Sequence, residues 1–139
     1  MSTSTEIVRL QQQIEDLLAI DGKLYFDFSP ENNDMRLSLV TVRASHKQPF
    51  LYHSLSGEDR KDALQQMITY IQRPPKAAFV FEVRWYHTKY PEVVYTSRFR
   101  GASVFEVLDK CYYQTKPEEL VVKSIRRLEE QEVNSGATV

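Results

Sequence analysis

The sequence predicts an α+β fold in which a five-stranded antiparallel sheet carries helices packed mainly on one face. Apolar residues recur with a period of two in some segments and with helical spacing in others, in the order α-β-β-β-α-β-β-α-α. Every link between successive strands is short, so the strands are expected to pair as antiparallel hairpins. We expect a single domain over residues 1–133 and a disordered tail over residues 134–139.

The first predicted element is an amphipathic helix that ends near Gly22. Thr3 and Glu6 have the spacing of a capping box. The apolar residues of the helix repeat in a 3-4-3 pattern and are Ile7, Leu10, Ile14 and Leu17. Such a stripe packs either on the protein's own sheet or on the helix of a second copy, and we take these four residues as the candidate dimer seam.

Three strands are predicted next. The segment "KLYFDF" alternates apolar and polar residues, "SPENND" has the composition of a turn, and "MRLSLVTVRA" and "FLYHSL" predict the second and third strands. In the second strand the alternation slips at Val40 and Val42. The slip indicates a bulge, or burial on both faces, near that point.

The rest of the chain predicts three helices and two strands. A helix capped by Ser56 is expected to end at Pro74, and the strands "AAFVFEVRWYH" and "VVYTSRFR" follow, joined across "TKYPE". Ser103 and Glu106 have capping-box spacing at the start of a short helix. The segment "TKPEELVVKSIRRLEEQ" predicts the last helix, which Thr115 would cap and whose apolar stripe is Val121, Ile125 and Leu128.

Composition indicates a globular protein, because 42% of the 139 residues are hydrophobic and 27% are charged. No apolar run approaches the roughly 20 residues that span a bilayer, and the N-terminus lacks the apolar core of a signal peptide. The single cysteine, Cys111, cannot form an internal disulfide, which is typical of a reducing compartment. We therefore expect an intracellular, cytoplasmic protein without a membrane partner.

The net charge of −1 conceals an uneven distribution along the chain. Residues 1–34 carry two bases and seven acids, whereas residues 35–102 carry eleven bases and five acids. A neutral total with a basic middle does not by itself indicate a nucleic-acid partner.

The sequence contains no pattern that indicates catalysis, a cofactor or a metal. Its four glycines form no phosphate-binding loop, and His46, His53 and His87 are scattered over separate segments, with His53 and His87 expected at the surface. Cys111 falls on the apolar stripe of its helix, where a cysteine behaves as a small hydrophobic residue. We predict no catalytic, cofactor-binding or metal-binding residue.

Residues 83–100, "VRWYHTKYPEVVYTSRFR", contain four cations, one acid and five aromatic rings. Strand alternation places most of the rings on the face toward the helices and the cations on the other face, where Glu82 is expected to pair with Arg98 or Arg100. The excess of cations beside tyrosines is typical of surfaces that bind single-stranded nucleic acid. With cations of neighbouring strands, the candidate binding face comprises Arg36, Arg43, Arg84, Tyr86, Lys89, Tyr90, Arg98 and Arg100.

The element order α-β-β-β-α-β-β-α resembles that of the small secretion chaperones that bind effector proteins. This resemblance implies a protein-binding role, although those chaperones tend to be strongly acidic and this chain is not. Tyr, Trp and Arg, abundant in residues 83–100, also dominate protein interfaces.

We therefore expect a small, intracellular, non-catalytic interaction module of the protein-binding, adaptor or chaperone-like kind. Its partner would be another protein or a second copy in a homodimer. The first alternative is a protein that binds single-stranded nucleic acid through the basic face, and the second is an enzyme of unidentified chemistry, whose site would be assembled from distant residues.

Overall fold

The computed structural model describes residues 4–133, and the chain divides into two compact units, Met1–Pro75 and Lys76–Val139. Each unit contains one three-stranded antiparallel sheet. The prediction of one five-stranded sheet is therefore wrong, because the six strands of the described residues form two separate sheets. The predicted tail over residues 134–139 and Thr3 of the first capping box lie outside the described residues, and the single domain stays a prediction.

The N-terminal unit is a three-stranded sheet with two helices on one face. Its elements are α1 (Ser4–Leu18), β1 (Gly22–Glu31), β2 (Asp34–Arg43), β3 (Pro49–Gly57) and α2 (Arg60–Gln72). The strands follow one another across the sheet in the order β1-β2-β3. One apolar cluster joins both helices to the sheet and includes Leu10 and Ile14 of α1, Leu37 and Leu39 of β2, and Leu64 and Met67 of α2.

Local signals explain most boundaries of this unit. Asn32 adopts a φ of 58° in the two-residue turn between β1 and β2, a conformation that asparagine tolerates. The cap of α2 is Asp59, whose carboxylate accepts a hydrogen bond from the Asp62 N–H at 2.8 Å. The prediction of Ser56 as the cap was wrong, because Ser56 still pairs with β2 as part of β3.

The predicted irregularity near Val40 is confirmed. The register between β2 and β3 shifts between Leu39 and Val40, and the extra residue is Tyr52 on β3. Tyr52 and His53 then both contact the Tyr70 ring of α2, with centroid distances of 6.0 and 3.7 Å. A regular strand would send these two neighbours to opposite faces.

The C-terminal unit is built around a central strand flanked by two partners. Its elements are β4 (Phe79–His87), β5 (Tyr95–Gly101), α3 (Val104–Cys111), a 3₁₀ turn (Pro117–Glu119), β6 (Leu120–Arg127) and α4 (Glu130–Val133). The strand order is β5-β4-β6, and α3 packs against β5. Phe81, Val83 and Trp85 of β4 and Phe99 of β5 are buried. The indole N–H of Trp85 donates to the Ser97 hydroxyl at 3.0 Å.

The predicted last helix is wrong over most of its length, because residues 120–127 form β6. Val121, Val122 and Ile125 are β-branched and favour a strand, and their backbones pair with β4. By contrast, the predicted cap at Ser103 is confirmed, although the return bond of the capping box comes from the N–H of the preceding residue. The Glu106 N–H donates to the Ser103 hydroxyl at 3.3 Å, and the Glu106 carboxylate accepts from the Ala102 N–H at 2.6 Å.

Among residues 4–133, no helix has both the length and the apolar character needed to cross a membrane.

Candidate interaction surfaces

The candidate basic face is divided between the two sheets. Arg36 and Arg43 lie on β2 of the N-terminal unit, where the Arg36 Nε is 3.9 Å from a carboxylate oxygen of Glu31. The other candidates belong to the C-terminal unit, with Lys89 and Tyr90 exposed in the turn after β4. The expectation that all eight side chains share one sheet face was therefore wrong, because β2 and β4 are in different sheets.

The C-terminal part of this surface, which we call the Arg84 face, is the side of the sheet that carries Glu82, Arg84 and Tyr86 of β4. In its first row across the strands, Glu82 lies between Arg98 of β5 and Arg126 of β6. The Glu82 carboxylate is 4.0 Å from the Arg98 guanidinium, which confirms that predicted pair, and 3.5 Å from that of Arg126.

A second acid also neutralises this row. The Arg126 guanidinium lies 3.0 Å from the Glu132 carboxylate, and Arg98 donates to the Glu132 carbonyl at 3.1 Å. Hydrogen bonds from the Glu129 N–H and from Arg126 lower the pKa of Glu132. The two arginines of this row therefore serve largely to hold sheet and α4 together. Sequence reasoning missed Arg126, because it assigned this segment to a helix.

The next row is Thr96–Arg84–Ser124, in which an arginine is flanked by a hydroxyl residue on each neighbouring strand. Arg84 is exposed and has no ion pair among residues 4–133. A guanidinium beside two hydroxyls is a donor set that suits a phosphate or carboxylate group. Tyr86 follows on the same face and is half-buried.

The candidate dimer seam on α1 lies mostly inside the N-terminal unit. Leu10 and Ile14 are 4% and 0% exposed within the apolar cluster, and Ile7 packs against it. Leu17 is 40% exposed at the end of the helix. Two of the four side chains are therefore buried against the protein's own sheet.

The outer edge of β1 is a surface that sequence reasoning did not single out. β1 is an edge strand whose register with β2 runs without a break from Gly22 to Glu31. None of its ten residues is buried, and Tyr25 is 51% exposed. Beside the start of the strand lies a cavity of about 320 Å³, lined by Glu15, Ile20, Gly22, Lys23, Leu24 and Tyr25.

One hydrogen bond shows which residues of β1 point their backbone N–H and C=O groups toward β2 and which point them toward the outer edge. The Ala44 N–H donates to the Asp21 carbonyl at 2.8 Å, which continues the β1–β2 register by one pair and marks it as hydrogen-bonded. Hydrogen-bonded pairs alternate along an antiparallel ladder. The odd-numbered residues of β1 therefore bond to β2, whereas Leu24, Phe26 and Phe28 direct their N–H and C=O groups toward the outer edge.

The single cysteine, Lys110 and the three histidines are buried or lie against aromatic rings. Burial raises the pKa of the Cys111 thiol to about 12. Lys110, which sequence reasoning passed over, is 3% exposed and donates to the Arg100 carbonyl at 2.6 Å; burial lowers its pKa to about 8. His53 and His87, expected at the surface, are half-buried against the rings of Tyr70 and Trp85.

Within residues 4–133, no three His, Cys, Asp or Glu side chains are grouped so as to hold a metal ion. Comparison of the chain with models of protein families, with curated proteins and with solved structures found no match. The surfaces described above are therefore the basis for a functional proposal.

Proposed function

We propose that this chain is a small, non-catalytic protein-interaction module whose N-terminal unit binds an extended polypeptide segment along the outer edge of β1. The observation that carries the proposal is the continuous, unburied edge of this strand. Added strands gain affinity from main-chain hydrogen bonds and specificity from alternate side chains.

The backbone of β1 offers what an added strand needs. Leu24, Phe26 and Phe28 present N–H and C=O groups in a row along the edge. Pro30 belongs to the same even-numbered set, so its missing N–H costs the β1–β2 ladder no hydrogen bond. Proline at this position also ends the row of donors.

The side chains of β1 provide two different faces for recognition. Leu24, Phe26 and Phe28 are half-buried against the apolar cluster under the helices, so an added strand would extend that layer. Lys23, Tyr25 and Asp27 alternate with them on the opposite face and are exposed. The cavity beside Gly22 would receive the end of the added segment.

Two buried groups support the non-catalytic part of the proposal. The thiol of Cys111 stays protonated at neutral pH, and the amine of Lys110 is held on a backbone carbonyl. The buried, free cysteine also supports a cytoplasmic location, where thiols stay reduced.

The test is a peptide-display selection on the immobilised chain, followed by affinity measurements on Phe26→Pro and Phe26→Val. The proline removes one outward N–H without breaking a bond to β2, whereas valine keeps it. Selected peptides are expected to bind Phe26→Val as tightly as they bind the wild type. They are expected to bind Phe26→Pro at least about tenfold more weakly, because the proline variant loses one or two hydrogen bonds to the peptide.

Circular dichroism of both variants checks that the sheet is intact. If no peptide is enriched, or if the enriched peptides bind Phe26→Pro as well as the wild type, strand addition at β1 is wrong.

A second candidate function is binding of single-stranded nucleic acid on the Arg84 face, and the Thr96–Arg84–Ser124 row is what favours it. Fluorescence anisotropy with a labelled single-stranded oligonucleotide, at low and near-physiological salt, tests it. Salt-sensitive binding that Arg84→Glu abolishes and Arg36→Glu leaves unchanged would support this function. Equal loss in both variants would indicate nonspecific attraction, and an absence of binding at low salt would rule it out.

A further inference from the structure

We infer that the segment that pairs with β1 is the β1 strand of a second copy, and that the two strands meet antiparallel about a two-fold axis at Tyr25. This inference rests on the proposed function and names its partner. Two copies would then share one continuous six-stranded sheet, formed by joining the two three-stranded sheets edge to edge.

The backbone allows only some registers for such a pair. Residues that direct their hydrogen-bonding groups outward must lie opposite one another, so even-numbered residues pair with even-numbered ones. In a two-fold arrangement centred on Tyr25, Leu24 lies opposite Phe26 of the second copy, and Gly22 lies opposite Phe28. Each of these pairs occurs twice because of the symmetry.

Charge selects the register centred on Tyr25. It places Lys23 of each copy opposite Asp27 of the other, on the face away from the helices, with the two Tyr25 rings adjacent. These are non-hydrogen-bonded pairs, in which side chains approach most closely. A register centred on Lys23 would oppose two lysines, and one centred on Asp27 would oppose two aspartates. Registers centred on Leu24 or Phe26 also satisfy the backbone, but they place no lysine opposite an aspartate.

The other face of the joined strands would be apolar. Leu24 and Phe26 are half-buried within one copy, and each would cover the other across the new seam. The pairing therefore extends the apolar layer under the helices on one face and forms two ion pairs and a tyrosine pair on the other.

The test is a set of charge reversals measured by sedimentation velocity. Lys23→Asp and Asp27→Lys each place like charges opposite one another twice, so each variant is expected to self-associate at least about tenfold more weakly than the wild type. The double variant Lys23→Asp/Asp27→Lys restores opposite charges and is expected to dimerise like the wild type. An equimolar mixture of the two single variants is expected to form a heterodimer.

Lys116→Asp is the matched control, because it makes the same charge change at an exposed residue of the C-terminal unit. It is expected to dimerise like the wild type. Hydrogen exchange provides a second readout: dimerisation is expected to slow exchange at the outward amides of Leu24, Phe26 and Phe28.

If the charge reversals leave the dimer's dissociation constant unchanged, the inference is overturned. The dimer would then form through another surface, such as that around Leu17. A wild-type monomer at about 100 μM would overturn it as well. If that monomer still binds display-selected peptides in a Phe26-dependent way, the proposed strand-binding function stands without self-pairing. If it binds none, both fail.

Discussion

The edge strands of the two sheets differ in how well their outer edges are protected. In the C-terminal unit, β6 is bulged, since its register with β4 shifts between Arg84 and Trp85, and it carries Lys123, Arg126 and Arg127. The other edge strand, β5, is short, and the Lys110 ammonium donates a hydrogen bond to its Arg100 carbonyl. Bulges, cations and covered backbone groups are the usual means by which proteins prevent unwanted strand pairing.

In the N-terminal unit, the two edge strands differ in regularity. β3 contains the Tyr52 bulge, whereas β1 keeps a continuous register over ten residues, with a proline only near its end. An open, regular edge is a liability unless it is used. Among the four edge strands of the described residues, β1 therefore has the longest regular outer edge.

The largest expected effect is in the protected sheet. Trp85 is fully buried, its indole is bonded to Ser97, and its ring stacks on Tyr95 at 4.8 Å. Trp85→Ala is expected to lower the free energy of unfolding by about 3–5 kcal/mol, measured by urea denaturation. Trp85→Phe keeps most of the volume and should cost less. A loss below about 1 kcal/mol for the alanine variant would contradict the buried position.

The next effect concerns Lys110, which protects the β5 edge. Burial lowers its pKa from 10.5 to about 8, while Glu106 opposes and Arg100 adds to the shift. Between pH 8 and 10.5 the unfolded chain therefore binds more protons than the folded chain, so this group's contribution to stability rises with pH. Below pH 8 the folded protein carries the full penalty of about 3 kcal/mol.

Lys110→Met is expected to be more stable than the wild type at pH 7, and the difference should shrink toward pH 10.5. Cys111 has the opposite effect in both proteins, because burial raises its pKa from 9.0 to about 12 and stability falls above pH 9. Subtracting the two urea-unfolding curves at each pH cancels that contribution. A difference that does not change with pH would contradict the buried ammonium.

A smaller effect is expected for the Arg98–Glu82–Arg126 row. Glu82→Gln leaves two arginines without the acid between them and should lower the free energy of unfolding by about 0.5–1 kcal/mol. Thermal unfolding at low and high salt measures it, since salt should reduce the difference. An equal loss at both salt concentrations would indicate that lost hydrogen bonds to the arginines, and not lost charge, cause the effect.

The smallest effect on stability is expected at the open edge. Tyr25 is mostly exposed, so Tyr25→Ala should change the free energy of unfolding by less than about 0.5 kcal/mol in the monomer. Urea denaturation at low protein concentration checks this. A loss close to that of Trp85→Ala would show that β1 is part of the core and would remove the contrast between the two sheets.

The elements that sequence analysis predicted correctly depend on local chemistry. The β1 alternation, the asparagine turn after it and the Ser103 cap of α3 each involve residues that are neighbours along the chain. An ion pair of Glu82 across the β4–β5 hairpin was also predicted, with Arg98 or Arg100 as the partner, and the register of the hairpin selects Arg98.

The errors arose where distant segments decide the outcome. The spacing of Val121, Ile125 and Leu128 fits a helix, yet β4 required a second partner strand, and pairing with it outweighed the local signal. Arg36 and Arg43 were assigned to the same basic face as Arg84, because no local sequence pattern shows whether the strands before α2 and those after it belong to one sheet.

The sequence by itself determined the α+β class, the first eight elements in order, and the alternation that separates apolar from charged residues on each strand, because these follow from propensity and periodicity. Only the tertiary structure decided that the strands form two sheets, that Glu82 also pairs with Arg126 of β6, and that β1 lies at an open edge. A strand carries the same alternation at an edge or in a centre, and its position depends on which other segments pair with it.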